Sequence, residues 1–277
     1  MTMLRVDPRR LERKRALVTG AASGIGRAIA CRFAQEGAQV AINHCGTEAA
    51  AVKTRELLEA NSSVAGTHHI CIEADVSKSV DVDRMVDKVV AEFGGLDILV
   101  NNAGIQVQCP SDQMSEADYD HVMSVNLKGA WLCARAALRH FLSRNLGGII
   151  LNTSSVHQLI PKPSYLSYSL SKGAMQNLTR TLALEYAERG VRVNAVAPGA
   201  ILTPMNESWA NDPRSRAAVE SHIPIRRAGH PDEIASVFAF LASDEASYIT
   251  GQTIFACGGL SLFAEFRTNW ASGLASP

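Results

Sequence analysis

The chain has no surplus of charge of either sign: 27 Lys and Arg face 27 Asp and Glu, for a formal net charge of zero. A nucleic-acid surface needs clustered basic residues, so that class of partner is not expected. Long hydrophobic runs are missing as well. No stretch of roughly 18 residues is continuously apolar, and the opening MTMLRVDPRRLERKR is basic without an apolar segment behind it. Neither a membrane span nor a secretion signal is read. The cysteines Cys31, Cys45, Cys71, Cys109, Cys133 and Cys257 contain no C-x-x-C pair, and the histidines contain no H-E-x-x-H. No metal site is therefore expected, and scattered thiols suit a reducing, cytoplasmic setting. Also absent are a Pro/Ser-rich linker, a low-complexity segment and a repeat of fixed period.

What is present is an alternation. With 47% apolar residues in 277, the chain can fill one large core. Short β-branched runs at 15–19, 40–43, 69–73, 96–101, 148–153, 191–197 and 253–256 read as strands. Between them, helical periodicity covers 25–36, 48–60, 80–93, 117–142, 167–189 and 231–242. Strands alternating with helices of that length imply βαβ crossovers and a parallel sheet covered on both faces. The expected architecture is α/β: one doubly wound Rossmann domain over 14–262 with a central seven-stranded parallel sheet. Residues 1–13 read as an extension and 263–277 as a tail.

Directly after the first strand comes Thr19-Gly20-Ala21-Ala22-Ser23-Gly24-Ile25-Gly26. Glycines at a strand-to-helix turn let the backbone approach a pyrophosphate at a helix N-terminus, where free N–H groups and the helix dipole favour anions. The spacing G-x-x-x-G-x-G differs from the usual G-x-G-x-x-G fingerprint. At the end of the second strand, where a ribose contact belongs, Asn43-His44-Cys45-Gly46 carries neither an acidic residue nor an arginine. His44 is the candidate neighbour there, and the missing carboxylate leans the cofactor expectation slightly from NAD toward NADP.

Tyr168 and Lys172 are four apart in a helical stretch and share a face. A phenol is a poor base at neutrality, but a neighbouring ammonium favours its phenolate. The pair could then take a proton from an alcohol, or give one to a carbonyl, as hydride moves. Ser155 follows the fifth strand, at the carboxyl end where such sheets place ligands, and its hydroxyl can hold the substrate oxygen. Asn102-Ala103-Gly104 follows the fourth strand and Pro198-Gly199 the sixth, each small enough to pass beneath a cofactor.

Taken in order, TGAASGIG, NNAG, Ser155/Tyr168/Lys172 and Pro-Gly make the chain resemble the classical short-chain dehydrogenase/reductase family over about residues 15–262. The resemblance implies an oxidoreductase of the NAD(P)-dependent, metal-free kind and a homotetramer. Ser155 would orient substrate, Tyr168 would be the acid/base, and Lys172 would assist the tyrosine and hold the nicotinamide ribose. Asn126 would support a proton-relay water, Asp75 and Val76 would meet the adenine, and Ile201 and Thr203 the carboxamide and phosphate. Tyr165, seven before Lys172, imitates the spacing of enoyl reductases in the same superfamily. Within the family, Ser154-Ser155-Val156-His157, Ile160-Pro161 and the end 262–266 resemble the glucose 1-dehydrogenase branch, which makes a sugar or related secondary alcohol the expected substrate. Gln106, His157 and Asn206 join Ser155 as substrate candidates, although the sugar enzymes carry glutamate where Gln106 stands. A 3-oxoacyl-thioester reductase or a general carbonyl reductase shares every motif. A non-catalytic NAD(P) sensor would keep the glycine loop but have no need of the Tyr/Lys pair.

Overall fold

A computed structural model describes residues 9–64 and 66–262 of the chain. The expected tail at 263–277 and most of the expected extension therefore lie outside the described residues. The strands are β1 Arg15–Val18, β2 Gln39–His44, β3 Ile70–Glu73, β4 Ile98–Asn101, β5 Gly148–Thr153, β6 Val191–Pro198 and β7 Thr253–Ala256. They form one parallel sheet in the order β3-β2-β1-β4-β5-β6-β7. The seven-stranded α/β expectation holds.

Period-two alternation divides each strand between two cores. Ala16 and Val18 of β1 and Ile98 and Val100 of β4 face one layer, built on α1 (Gly24–Gln35), α2 (Glu48–Asn61) and α9 (Pro231–Ala242). Leu17 and Leu99 face the other layer, built on α3 (Ser79–Phe93), α5 (Gly129–Arg144) and α6 (Leu166–Tyr186). In α3 the buried Val82, Met85, Val86, Val89 and Phe93 recur at helical spacing, and Gly94 ends the helix in the left-handed region at φ 72°. Between β1 and β4 the winding reverses direction, which opens a crevice at the carboxyl ends of the strands.

Three differences from the sequence reading have physical causes. The periodicity at 117–142 is not one α-helix: α4 (Glu116–Met123) runs through a π-helical turn, Ser124–Lys128, before α5. The inserted turn preserves the apolar stripe, so the pattern alone does not reveal it. The packed body also begins before residue 14. Leu11 is fully buried, its N–H donates to the Glu36 carbonyl at 2.9 Å, and the Arg10 guanidinium forks onto the Glu36 carboxylate at 2.9 and 2.7 Å. Finally, 204–223 carries two short helices, α7 (Glu207–Ala210) and α8 (Pro213–Ser221), that the sequence left unread. Among the described residues, no helix is long and apolar enough to cross a membrane.

Candidate active site

The loops following β1, β2, β4, β5 and β6 enclose a cavity of about 720 Å³. That volume lies within the range of small-molecule sites, about 300–1,000 Å³. Its floor is a weld between two loops. The Thr19 hydroxyl accepts from the Asn102 and Ala103 N–H groups at 2.9 and 3.0 Å, and Asn102 Nδ2 donates back to the Thr19 and Gly20 carbonyls at 2.9 and 3.2 Å. The Asn102 side chain is thus a brace, while its loop lines the cavity. A Cβ on Gly26 would collide with the Gly20 carbonyl and the Asn102 amide, so only glycine lets α1 start this close to the sheet. Gly20 and Gly24 take φ of 61° and 55°. No side chain caps α1 at Ser23, so its first N–H groups are left to the cavity wall formed by Ser23, Gly24, Ile25 and Gly26. That is the arrangement a pyrophosphate requires.

At one end of the cavity, His44 is 4% exposed and its Nδ1 has no hydrogen-bond partner. An orphaned polar atom on this wall fits a ribose hydroxyl or phosphate oxygen. Beside it, Asp75 Oδ1 accepts from the Ser77 N–H and hydroxyl at 3.0 and 2.7 Å. Burial would raise the Asp75 carboxyl, but the bonds from Ser77 and Lys78 hold it below its ordinary value. A carboxylate invisible from β2 alone arrives from β3: Glu73 pairs in register with His44 and accepts the Gly46 N–H at 3.3 Å.

The Ser/Tyr/Lys candidates line the same cavity. Tyr168, half-buried on α6, shares the cavity wall with Ser155, which itself is 6% exposed and accepts the His157 N–H at 3.1 Å. Burial pushes the phenol above its ordinary value, and the Ser155 side chain opposes that. Lys172 is buried and donates to the Thr153 carbonyl at 2.7 Å, with Nζ 5.6 Å from the Tyr168 ring centre. Desolvation lowers it from 10.5 to about 8. In the protein alone, burial therefore outweighs the expected lowering of the tyrosine by the lysine.

Every candidate named from the sequence lines this cavity except Asn126, which is fully buried behind it in the π turn. Asn126 Oδ1 accepts the Ile105 N–H at 2.8 Å, and its Nδ2 donates to the Ile105 carbonyl at 2.9 Å and to Ser171 Oγ at 3.1 Å. Its side chain positions the loop after β4 against α6. Ser154, the neighbour that could be mistaken for Ser155, spends its hydroxyl on Gln158 Oε1 at 2.5 Å. Tyr165 does not line the cavity; its hydroxyl donates to Gln108 Oε1 at 3.0 Å. Of the two tyrosines, only Tyr168 lines the cavity.

The other end is closed by the segment after β6. Gln106 Nε2 donates to the Met205 carbonyl at 3.2 Å, and Asn206 Nδ2 turns back onto the Ile201 carbonyl at 2.8 Å. Both of these substrate candidates therefore hold the segment in place as well as lining the cavity. His157 Nδ1 meets the Ile160 carbonyl at 2.9 Å, and its ring packs edge-on against Tyr168 at 6.2 Å. Burial, opposed by that backbone bond, lowers its pKa. Trp209, Val219 and Leu260 supply an apolar wall that no sequence motif announced, and Lys162 supplies a cation. Lys162 was the readable one, as the sole cation between the serine and the tyrosine.

A family model described as enoyl-(acyl carrier protein) reductase matches residues 20–261. The chain is 51% identical over 259 residues to a glucose 1-dehydrogenase of Gluconobacter oxydans, covering 94% of this chain and 96% of that one. It is 46% identical over 257 residues to 3beta-hydroxysteroid dehydrogenase 1 of Eggerthella lenta, covering 93% and 97%. Among solved structures, a gluconate 5-dehydrogenase from Burkholderia cenocepacia, in complex with NADP and tartrate, superposes with TM-score 0.85 at 34% identity, covering 92% of this chain and 98% of that one.

Proposed function

The chain belongs to the short-chain dehydrogenase/reductase family, and on that premise we propose that it moves a hydride between nicotinamide and a CH–OH or C=O carbon of a sugar-like polyol. The observation that carries this reading is the convergence of Ser155, Tyr168 and buried Lys172 on the wall of one cavity, with Lys172 fixed by the Thr153 carbonyl. Ser155 holds the substrate oxygen while Tyr168 takes its proton in oxidation or returns it in reduction. Lys172, fixed by the Thr153 carbonyl, presents its remaining N–H groups to a ribose. When bound, NAD(P) supplies the hydride acceptor or donor, and the free N–H groups at the start of α1 hold its pyrophosphate. The sugar-like class is supported by the glucose and gluconate dehydrogenases among the relatives. Initial rates with NAD and with NADP on a panel of aldoses, polyols, a simple ketone and a 3-oxoacyl thioester, followed by nicotinamide absorbance, test the reading. Turnover of the thioester alone would replace it with the acyl-reductase alternative.

Two further expectations belong to this reading. The lean toward NADP drawn from β2 is offset by Glu73, whose carboxylate sits at the turn where a 2′-phosphate would come. NAD and NADP should therefore bind within about tenfold, roughly 1.4 kcal/mol, of each other. Glu73→Gln should move the ratio toward NADP in fluorescence titrations of the protein. A hundredfold preference for either form, unmoved by that change, contradicts it. The second expectation is the homotetramer. Its support is exposed Trp131, Leu166 and Leu170 on α5 and α6, and Tyr248 and Ile254 beside the open edge at β7. Apolar patches of this kind are buried by isologous pairing in closed assemblies. Light scattering at micromolar concentration should report four chains, and a monomer rules it out. The dispersed free thiols support a reducing, cytosolic setting.

A further inference from the structure

Lys162 has no role in the chemistry above, yet it lines the same cavity as His157 and Tyr168. It is only half-buried in the protein alone, but among the described residues nothing near it balances its charge. No described carboxylate pairs with it, and the one acidic residue on the cavity wall, Asp75, is engaged by Ser77 and Lys78. The ammonium is held in place nonetheless. Nζ lies 3.6 Å from the centre of the Tyr165 ring, and that ring is anchored by its hydroxyl on Gln108. Pro161 and Pro163 flank the residue, and proline fixes its own φ and restricts the residue before it. A pre-positioned cation in a cleft, facing no anion among the described residues, is costly to desolvate when a neutral substrate closes over it. An anionic group removes that cost and adds a charge-assisted hydrogen bond.

We infer that Lys162 is the binding site for a carboxylate carried by the polyol substrate, so that the enzyme works on sugar acids in preference to neutral sugars. This rests on the dehydrogenase reading and names the substrate class of that site. Two further features agree with it. Burial lowers the Lys162 pKa with no described acid countering it, so the group gains from an arriving anion. The other polar residues at this end, Gln106, His157 and Asn206, are uncharged or neutralised by burial and match hydroxyl groups.

D-gluconate and D-glucitol share a carbon chain and differ in a carboxylate for a hydroxymethyl group, which makes them the probes. Their binding is measured by calorimetry on cofactor-loaded Tyr168→Phe protein, which holds substrate without consuming it. Gluconate should bind at least about tenfold more tightly, and adding Lys162→Met should bring that ratio near one while Lys162→Arg keeps most of it. Glucitol binding as well as gluconate, a Lys162→Met effect equal on both, or no binding of either in the millimolar range each overturns the inference. Rates of the unmodified enzyme on the same pair separate the two levels. Selective gluconate binding without oxidation of either compound defeats the polyol dehydrogenase reading and leaves the carboxylate site standing.

Discussion

Tyr168→Phe is expected to lower kcat by at least about 10², the low end of what a positioned acid/base supplies, with cofactor affinity nearly unchanged. The change removes the phenol hydroxyl from a cavity wall that Tyr168 shares with Ser155 and Lys172. The ring is retained, so the edge-on contact with His157 survives. Tyr165→Phe should cost far less, because it removes only a hydrogen bond to Gln108 at a position off the cavity wall. The pH profile provides a second reading. Burial raises the phenol, so in the oxidation direction, where Tyr168 must accept a proton, the rate should climb toward alkaline pH, and this limb should vanish in Tyr168→Phe. Kinetics and cofactor titration of the two variants decide the matter. A larger loss at Tyr165 would hand the acid/base role to that residue and align the enzyme with the enoyl reductases.

Lys172→Met should abolish most activity, again by at least about 10², while leaving the fold no less stable at neutral pH. Activity falls because the ammonium that steadies the phenolate and the ribose is gone. Stability follows from linkage. Lys172 titrates near 8 in the folded chain against an ordinary value of 10.5. Below pH 8 both folded and unfolded chains carry the proton, and the fold bears the cost of burying the charge, on the order of 3 kcal/mol. Between about pH 8 and 10.5 the folded chain sheds a proton that the unfolded chain keeps, so that cost is relieved and the native protein gains stability as pH rises. Methionine removes the charge but orphans the Thr153 carbonyl, which now accepts from Nζ at 2.7 Å. An unpaired buried carbonyl costs about 1–3 kcal/mol. The balance is a Tm at pH 7 equal to or a few degrees above that of the native protein, with the advantage shrinking through pH 8–10.5. A Tm lowered by the same amount at pH 7 and pH 10 would show that the lysine is a structural strut and not a strained functional group.

Much of the site was legible because this fold writes its chemistry at strand ends. Gly20, Gly24 and Gly26 mark where backbone must pass close to the sheet. Ser155, Tyr168 and Lys172 stand at spacings that a strand end and one helix face impose. Those are local constraints, and a local pattern carries them. Asn126 was legible as a position but not as a geometry, because a π turn leaves the hydrophobic stripe unbroken and hides in a helical period. Its side chain proved to be bound to Ile105 and Ser171.

What the sequence determined by itself was the alternation of strands and helices and the glycine turn after β1, since each depends on neighbours within a few residues, and it marked Ser155, Tyr168 and Lys172 as candidates by strand end, helix face and family resemblance. Tertiary structure decided the rest. It set Tyr168 on the cavity wall with Ser155 and turned the Tyr165 hydroxyl away to Gln108. It brought Glu73 of β3 to the turn after β2, which strand order and register control and no reading of β2 could supply. It closed the cavity with Trp209, Val219 and Leu260, and it left Lys162 facing that cavity without a counter-charge among the described residues. These are pairings between residues far apart in the chain. Their energies are set by burial and by which charges end up adjacent, and both come into being only when the sheet has assembled.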